Sequence, residues 1–359
     1  MKIKPKKFVN FVERQPHWLS NRQGYFTMER NERVDEFPKT FMKELKNAIH
    51  SFDLRTYPDT HLIYEEVAKW LKVKNDQIII HEGADGGLLR VFDVFISGGD
   101  RVITCSPSFA MYPVYCQMFG AKHYPLELKV KNYDYYKELQ KKIKKIKPKL
   151  VAIANPNQPI EAMLSLKQIK NICKLAEKLG SLVIIDEAYY HFGSKSEIKN
   201  AAKNKNLIVM RTFSKAWGLP SIRLGFLVAN RKLCKYVSKC RSLVETNALS
   251  YQIAMWALSN KKILNNHVLQ IKKGSNYIQN NLKKLNLFFK GGNVTNAILI
   301  KLKNKKETEK LRLFMRKRKI YIRTNFKDSI EDCIRISLGP VKKMKKFMKV
   351  FNYWLKIKK

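Results

Sequence analysis

Residues 207–229 read LIVMRTFSKAWGLPSIRLGFLVA. Two strand-length apolar runs, LIVMRT (207–212) and LGFLVA (224–229), flank a connection that carries Lys215 directly after a hydroxyl residue and Arg223 eight positions later. An ordinary strand-to-strand connection needs neither. A site that holds a phosphate and forms a covalent bond through an amine could need both. Thr212, Ser214 and Arg223 together would make an anion cup, with Arg223 supplying planar donors suited to phosphate. An amine among them would have its pKa lowered by the neighbouring cation and by burial, as a Schiff-base nucleophile requires. Taken singly, Lys215 reads as one surface lysine among many.

Outward from this stretch the chain alternates. From about residue 78 short apolar runs, turns and helical periods succeed one another: QIIIH (77–81), RVITC (101–105), KHYPL (122–126), LVAIA (150–154) and LVIID (182–186) precede the two runs above. Helical stretches separate most of them, notably SLKQIKNICKLAEKLG (165–180), which ends on a capping glycine. Strands alternating with helices predict an α/β fold with a mostly parallel sheet. Ligands of such sheets sit beyond the carboxyl ends of the strands. Asp186 ends a run of four apolar residues, and a buried carboxylate there needs a cation or strong donors. It reads either as a turn cap or as the partner of a protonated heterocycle nitrogen, with Tyr189 placed to donate to an oxygen of the same ring. HEGADGGLLRVF (81–92) closes a strand and opens a helix whose first N–H groups favour an anion. Phe109, in SPSFAMYPVY (106–115), reads as a ring-stacking aromatic or as core.

After about residue 230 the pattern changes. Long helical stretches (about 231–287) lead to AILIKL, a helix, KIYIR, CIRISLG and a terminal helix. Met344, Phe347, Met348, Phe351, Trp354 and Leu355 recur on that helix at helical spacing, as a core face of a small α+β domain or a membrane-surface face. The formal net charge is +42. Clustered Lys/Arg suit nucleic acid or an anionic surface. Yet the basic runs KKIKKIKPK (141–149) and KKMKKFMK (342–349) fall within helical apolar spacing, and lysine and asparagine abound throughout. That reads as a solvated surface under compositional bias. Six cysteines without a C-x-x-C pair suggest neither a disulfide framework nor a zinc site, and no metal is expected. With no apolar leader and no span-length run, a soluble protein of a reducing cytoplasm is expected.

Asp186-x-x-Tyr189, then Ser214-Lys215 with Arg223, resembles the fold-type I enzymes dependent on pyridoxal 5'-phosphate (PLP), in the class I/II aminotransferase group, nearest the histidinol-phosphate aminotransferases. The resemblance runs from RNERVDEFP (30–38) to IRISLG (334–339). It implies a three-layer α/β fold and three parts: an N-terminal segment (1–50) joining the small domain, a large PLP-binding domain (51–265) and a small C-terminal domain (266–359). It implies that Lys215 bonds the cofactor and shuttles the proton, that Asp186 keeps the pyridine nitrogen protonated, and that Tyr189 bonds the phenolic oxygen. Ala84 and Asp85 (through backbone), Thr212, Ser214 and Arg223 would hold the phosphate, and Phe109 would stack on the ring. Asn157 and Gln158 would complete the cofactor contacts. Tyr57, in LRTYPD, is similar to a tyrosine that reaches a partner subunit's phosphate, which implies a homodimer. Arg335 matches the arginine that clamps the substrate's anionic end, and Arg323 one that meets a substrate phosphate.

The chain departs from this family where N-P-T-G is usual. Here NPNQPIE (155–161) puts Gln158 at the asparagine's place and Ile160-Glu161 where a turn-forming Thr-Gly stands. A glutamate resists any positive φ there. Phe109 replaces a common tyrosine, and Asp85-Gly86 a frequent Asp-Glu. The implied activity is PLP-dependent transamination between an amino donor, with glutamate and 2-oxoglutarate the common pair, and a keto or aldehyde acceptor. A decarboxylase resembling threonine-phosphate decarboxylase would use the same Lys215 and Asp186. A nucleic-acid-binding protein on this scaffold is the more distant alternative.

Overall fold

The computed structural model describes residues 6–12, 21–49, 55–129 and 133–358. Its strands are β1 (Phe26–Thr27), β2 (Ile78–His81), β3 (Arg101–Ser106), β4 (Lys122–Glu127), β5 (Leu150–Ala154), β6 (Leu182–Asp186), β7 (Leu207–Thr212), β8 (Gly225–Val228), β9 (Phe289–Gly291), β10 (Ala297–Lys301), β11 (Ile320–Tyr321) and β12 (Cys333–Ser337). Seven of them form the main sheet in the order β2-β8-β7-β6-β5-β3-β4. Neighbours from β7 to β4 run parallel, and β8 is antiparallel to both β7 and β2. The reversal at β8 follows from its short connection, which has no room for a crossover helix.

The near-continuous apolar runs arise because the sheet is covered on both faces. Alternate residues enter opposite cores. Ile103, Val151, Ile153, Val183, Ile185 and Val209 face one core with the helices Thr60–Leu71, Tyr135–Ile146 and Leu166–Lys178. Val102, Leu150, Ala152, Ile184 and Met210 face the other with the helices Gly83–Phe95, Met111–Met118 and Arg231–Ser238. The expected three-layer architecture is present.

The helical stretches expected over 231–287 are Arg231–Ser238, Ala248–Ser259 and Lys262–Lys284. Asparagines set the first two starts: Asn230 accepts from Leu233 N and Asn247 from Ser250 N, each cap worth about 1 kcal/mol. A boundary at 265/266 falls inside the helix Lys262–Lys284. The smaller sheet is antiparallel, in the order β12-β10-β9. KIYIR supplies only the two-residue β11, paired with β1, before Arg323 bridges to Arg335 of β12. Thus β1 and the residues after it join the smaller sheet's side, where Ser337 N donates to Met28 O (2.7 Å).

On the terminal helix Val341–Ile357, Met344, Phe347, Met348, Phe351 and Trp354 are buried, so its apolar face is core. The basic runs are outer faces of amphipathic helices: Lys141, Lys144 and Lys145 are exposed beside buried Leu139 and Ile143. Among the described residues no helix is long and apolar enough to cross a membrane.

Candidate active site

Successive connections leave the sheet in opposite directions at β3 and β5, so their carboxyl ends open a crevice. Phe109 follows β3, Asn157 and Gln158 follow β5, Asp186 ends β6, and Thr212, Ser214 and Lys215 end or follow β7. Ala84 and Asp85 begin the helix after β2, and Arg223 enters antiparallel β8 at the same edge.

The wall at β6 and β7 is set by short local bonds. Asp186 Oδ1 accepts from Ala188 N (2.9 Å). Burial pushes its pKa up from 3.8 to about 6, so the carboxylate is poised for a cationic partner. Lys215 is partly buried and its Nζ donates to Arg30 O (3.2 Å). Burial, with Arg335 nearby, lowers its pKa from 10.5 to about 8. Thr212 Oγ1 donates to Ser214 Oγ (2.9 Å) and accepts from Ser214 N (3.1 Å). Arg223 takes a positive φ of 48° and gives Nη2 to Glu82 O (3.2 Å), across Gly83. A Cβ on Gly83 would lie 2.7 Å from Arg223 Nη2, and one on Gly225 would lie 2.7 Å from Arg211 O and 2.9 Å from Ala84 N. Two glycines thus let the helix N-terminus and the arginine close on one spot, a built anion cradle. Below it, neutral His81 donates from Nδ1 to Gly83 O (2.6 Å), and burial lowers its pKa to about 4.

The facing wall is assembled from distant segments. Tyr189 OH accepts from Asn31 Nδ2 (2.7 Å). Arg335 donates Nη1 to Gln158 Oε1 (3.0 Å) and Nη2 to Glu29 O (2.5 Å). Both acceptors are neutral, and burial lowers the arginine's pKa only to about 10, leaving it a cation. Arg323 and Arg335 exchange backbone bonds (3.0 and 2.8 Å), so both side chains leave the bridge on one face. Among the described residues no carboxylate is ion-paired with either.

Asn157 is fully buried: Nδ2 donates to Pro107 O (3.0 Å) and Ile160 O (3.1 Å), and Oδ1 accepts from Ser108 Oγ (2.5 Å). Its side chain therefore ties the β3 and β5 loops together. Phe109 is half-exposed and meets Tyr112 edge-on (5.8 Å). Tyr57 is 83% exposed, outside these contacts. Glu161 keeps out of the left-handed region, so its loop does not need a glycine's conformational freedom. Its carboxylate instead accepts from Gly292 N (2.9 Å), Asn293 N (3.1 Å), Val294 N (3.1 Å) and Thr295 Oγ1 (2.6 Å).

Sequence reasoning missed Asn31, Glu161 and the buried pair Glu187–Arg211 (2.9 Å). The pair had a signal: Asp186 lies opposite Met210 in the parallel register, so Glu187 and Arg211 are the next facing residues. Arg211 also sits 3.7 Å over the Tyr190 ring, and Glu187 accepts from Ser196 Oγ and Glu197 N. A buried ion pair this fully bonded holds β6 and β7 together just beneath Asp186 and Thr212.

Residues 27–351 match the family Aminotransferase class I and II. A histidinol-phosphate aminotransferase of Thermoanaerobacter sp. (strain X514) is 35% identical over 263 residues, 72% of each chain. One from Ruminiclostridium cellulolyticum is 29% identical over 328 residues, covering 89% of this chain and 90% of its own. The crystal structure of histidinol-phosphate aminotransferase from Sinorhizobium meliloti, in complex with pyridoxal-5'-phosphate, has the same fold, with a TM-score of 0.84 at 20% identity over 95% of both chains. The chain belongs to the class I and II aminotransferases and is a PLP-dependent aminotransferase of the histidinol-phosphate aminotransferase type.

The residues present fit that cofactor. Among the described residues Gln158 Nε2 is buried without a partner, a donor suited to a phenolic oxygen. The cradle at Gly83 and Arg223 suits a phosphate, and the raised pKa of Asp186 falls when a pyridinium N–H meets it.

Proposed function

We propose that the enzyme moves an amino group between glutamate or 2-oxoglutarate and a phosphorylated amino alcohol or ketone of the histidinol-phosphate type. The observation that carries this substrate class is the pair Arg323 and Arg335, two guanidinium groups at one bridge, neither ion-paired with a carboxylate among the described residues. Curated relatives named histidinol-phosphate aminotransferase support the same class.

Each residue then has a task. Bound PLP supplies the electron sink that makes the Cα–H bond of an attached amine acidic. Lys215, with a pKa near 8, keeps a useful share of neutral amine at neutral pH, the form that attacks a carbonyl and accepts a Cα proton. Asp186 holds a proton on the ring nitrogen. Tyr189 and Gln158 bond the phenolic oxygen, Phe109 covers the ring, and Asn157 holds the loop that carries Gln158. Thr212, Ser214, Arg223 and the backbone at Ala84 and Asp85 hold the cofactor phosphate. Arg335 and Arg323 take the substrate's anionic groups.

We read the working unit as a cytoplasmic homodimer. Tyr57 is largely exposed in one protomer and would gain contacts at a partner's phosphate, and buried unpaired cysteines suit a reducing compartment. The test is glutamate formation from 2-oxoglutarate with histidinol phosphate, compared with unphosphorylated histidinol. Charge-assisted bonds to the phosphate predict a kcat/KM preference of about tenfold to hundredfold for the ester. Equal rates, or release of carbon dioxide from a phosphorylated amino acid in place of amino transfer, would overturn this reading.

A further inference from the structure

Glu161 stands in the loop after β5, three residues beyond Gln158, yet its carboxylate is bound from the side of the other sheet. Three successive backbone N–H groups (Gly292, Asn293, Val294) and the Thr295 hydroxyl converge on it at 2.6–3.1 Å. The donors form an anion nest between β9 and β10. Gly291 and Gly292 build it with φ of 100° and 86°, and a Cβ on Gly292 would lie 2.5 Å from Ser275 Oγ. Ser275 Oγ in turn donates to Gly292 O (2.6 Å), which fixes the turn to the helix Lys262–Lys284.

This clasp lies parallel to a second link across the same cleft. Gln158 Oε1 holds Arg335, which sits on β12 beside β10 in the sheet that carries the nest. The nest continues to the site by another route: Asn296 Nδ2 donates to Asn31 O (2.9 Å), and Asn31 Nδ2 to Tyr189 OH (2.7 Å). The two links differ in what a substrate does to them. An anion arriving at Arg335 competes with the Gln158 amide for the guanidinium. It does not touch Glu161, whose bonds persist while the Gln158–Arg335 contact is remade.

We propose that Glu161 is a positioning residue: it fixes the span between Gln158, on the cofactor side, and Arg335, on the substrate side, while Arg335 exchanges the amide for the substrate's anionic group. This rests on the reading that Arg335 binds that group. Because a rigid span lowers the cost of ordering at binding, loss of the clasp acts on substrate affinity and leaves cofactor binding in place.

The experiment compares Glu161→Ala, Glu161→Gln and Arg335→Ala as PLP-loaded proteins, with 2-oxoglutarate and glutamate as probes. For Glu161→Ala, the expected KM for both rises about tenfold, with kcat and PLP affinity changed less than about threefold. Glu161→Gln, which keeps one acceptor oxygen, falls between. A KM unchanged in Glu161→Ala but raised in Arg335→Ala overturns the positioning role alone. A KM unchanged in both removes Arg335 from the anion site and the inference with it. Parallel loss of substrate and PLP affinity also overturns it, because Glu161 would then hold the fold as a whole. If Glu161→Ala does not fold, Thr295→Val removes one of the four donors, and a KM shift of about twofold decides the matter on the same terms.

Discussion

The two walls of the crevice are made differently. The wall at β6 and β7 carries Asp186, Thr212, Ser214 and Lys215 within a few residues of strand ends, and its bonds are local, such as Ala188 N to Asp186 and Ser214 N to Thr212. The facing wall joins Asn31 to Tyr189 across 158 residues, Arg335 to Gln158 across 177, and Arg335 to Glu29 across 306. The first wall needs little beyond a parallel sheet. The second exists only once both sheets and the segment after β1 are packed. On the proposed roles, Lys215 and Asp186 of the first wall serve chemistry common to PLP enzymes, and Arg335 of the second serves substrate choice. Changes to the first should therefore cut turnover with every substrate, and changes to the second should divide substrates by their anionic groups.

The largest effect is expected at Lys215. Lys215→Ala should lower turnover by about 10⁴-fold or more, since nucleophile and proton carrier are both lost. PLP should still bind through its phosphate, without the lysine-bound absorbance band, which a titration followed by spectrum would record. Asp186→Asn should follow, with about a 10²- to 10³-fold fall in kcat from loss of charge at the ring nitrogen. On the other wall, Arg335→Ala should lower kcat/KM for 2-oxoglutarate by about tenfold to hundredfold. An equal loss for a substrate without an anionic group would dissolve the contrast between the walls.

The smallest effect is on pH dependence. Without cofactor, Asp186 titrates near 6 in the folded chain against 3.8 normally. The folded state then binds more protons than the unfolded between these values, so this group's contribution to stability falls as pH rises through that window and stays low above about 6. Lys215, lowered from 10.5 to about 8, works oppositely: its penalty is full below 8 and is relieved as pH rises toward 10.5. On the proposed contacts, bound PLP would relieve both penalties at neutral pH. Its affinity should therefore be weaker at pH 5 than at pH 7.5, by about tenfold for one unit of Asp186 protonation. Identical dissociation constants at the two pH values would contradict the burial argument for Asp186.

The first wall was largely legible in the sequence, because parallel strands are read from apolar runs and their carboxyl ends carry the site. β5, β6 and β7 run over 150–154, 182–186 and 207–212, the spans expected. What was not legible depended on reach and packing. Glu161 was expected to disturb a turn, and it instead crosses to the turn before β10. Gln158 was expected at the cofactor's phenolic oxygen, and its own amide oxygen holds Arg335. The longer side chain makes the span possible, but nothing in its local sequence marks a partner 177 residues away. The helical stretches before β9 were expected, but not where each begins, because the asparagine caps that start two of them are ordinary in a chain rich in asparagine.

The most direct test of the central claim is a single half-reaction. PLP-loaded protein would be mixed with histidinol phosphate, with no 2-oxoglutarate present, and its absorbance followed. The account predicts that the lysine-bound band disappears as the aminated cofactor forms, with the ketone product released in equal amount and no carbon dioxide. With Arg335→Ala the same change should need a much higher substrate concentration. A spectrum unmoved by histidinol phosphate at any concentration, while another amine converts the cofactor fully, would contradict the assignment of the two arginines to a phosphorylated substrate.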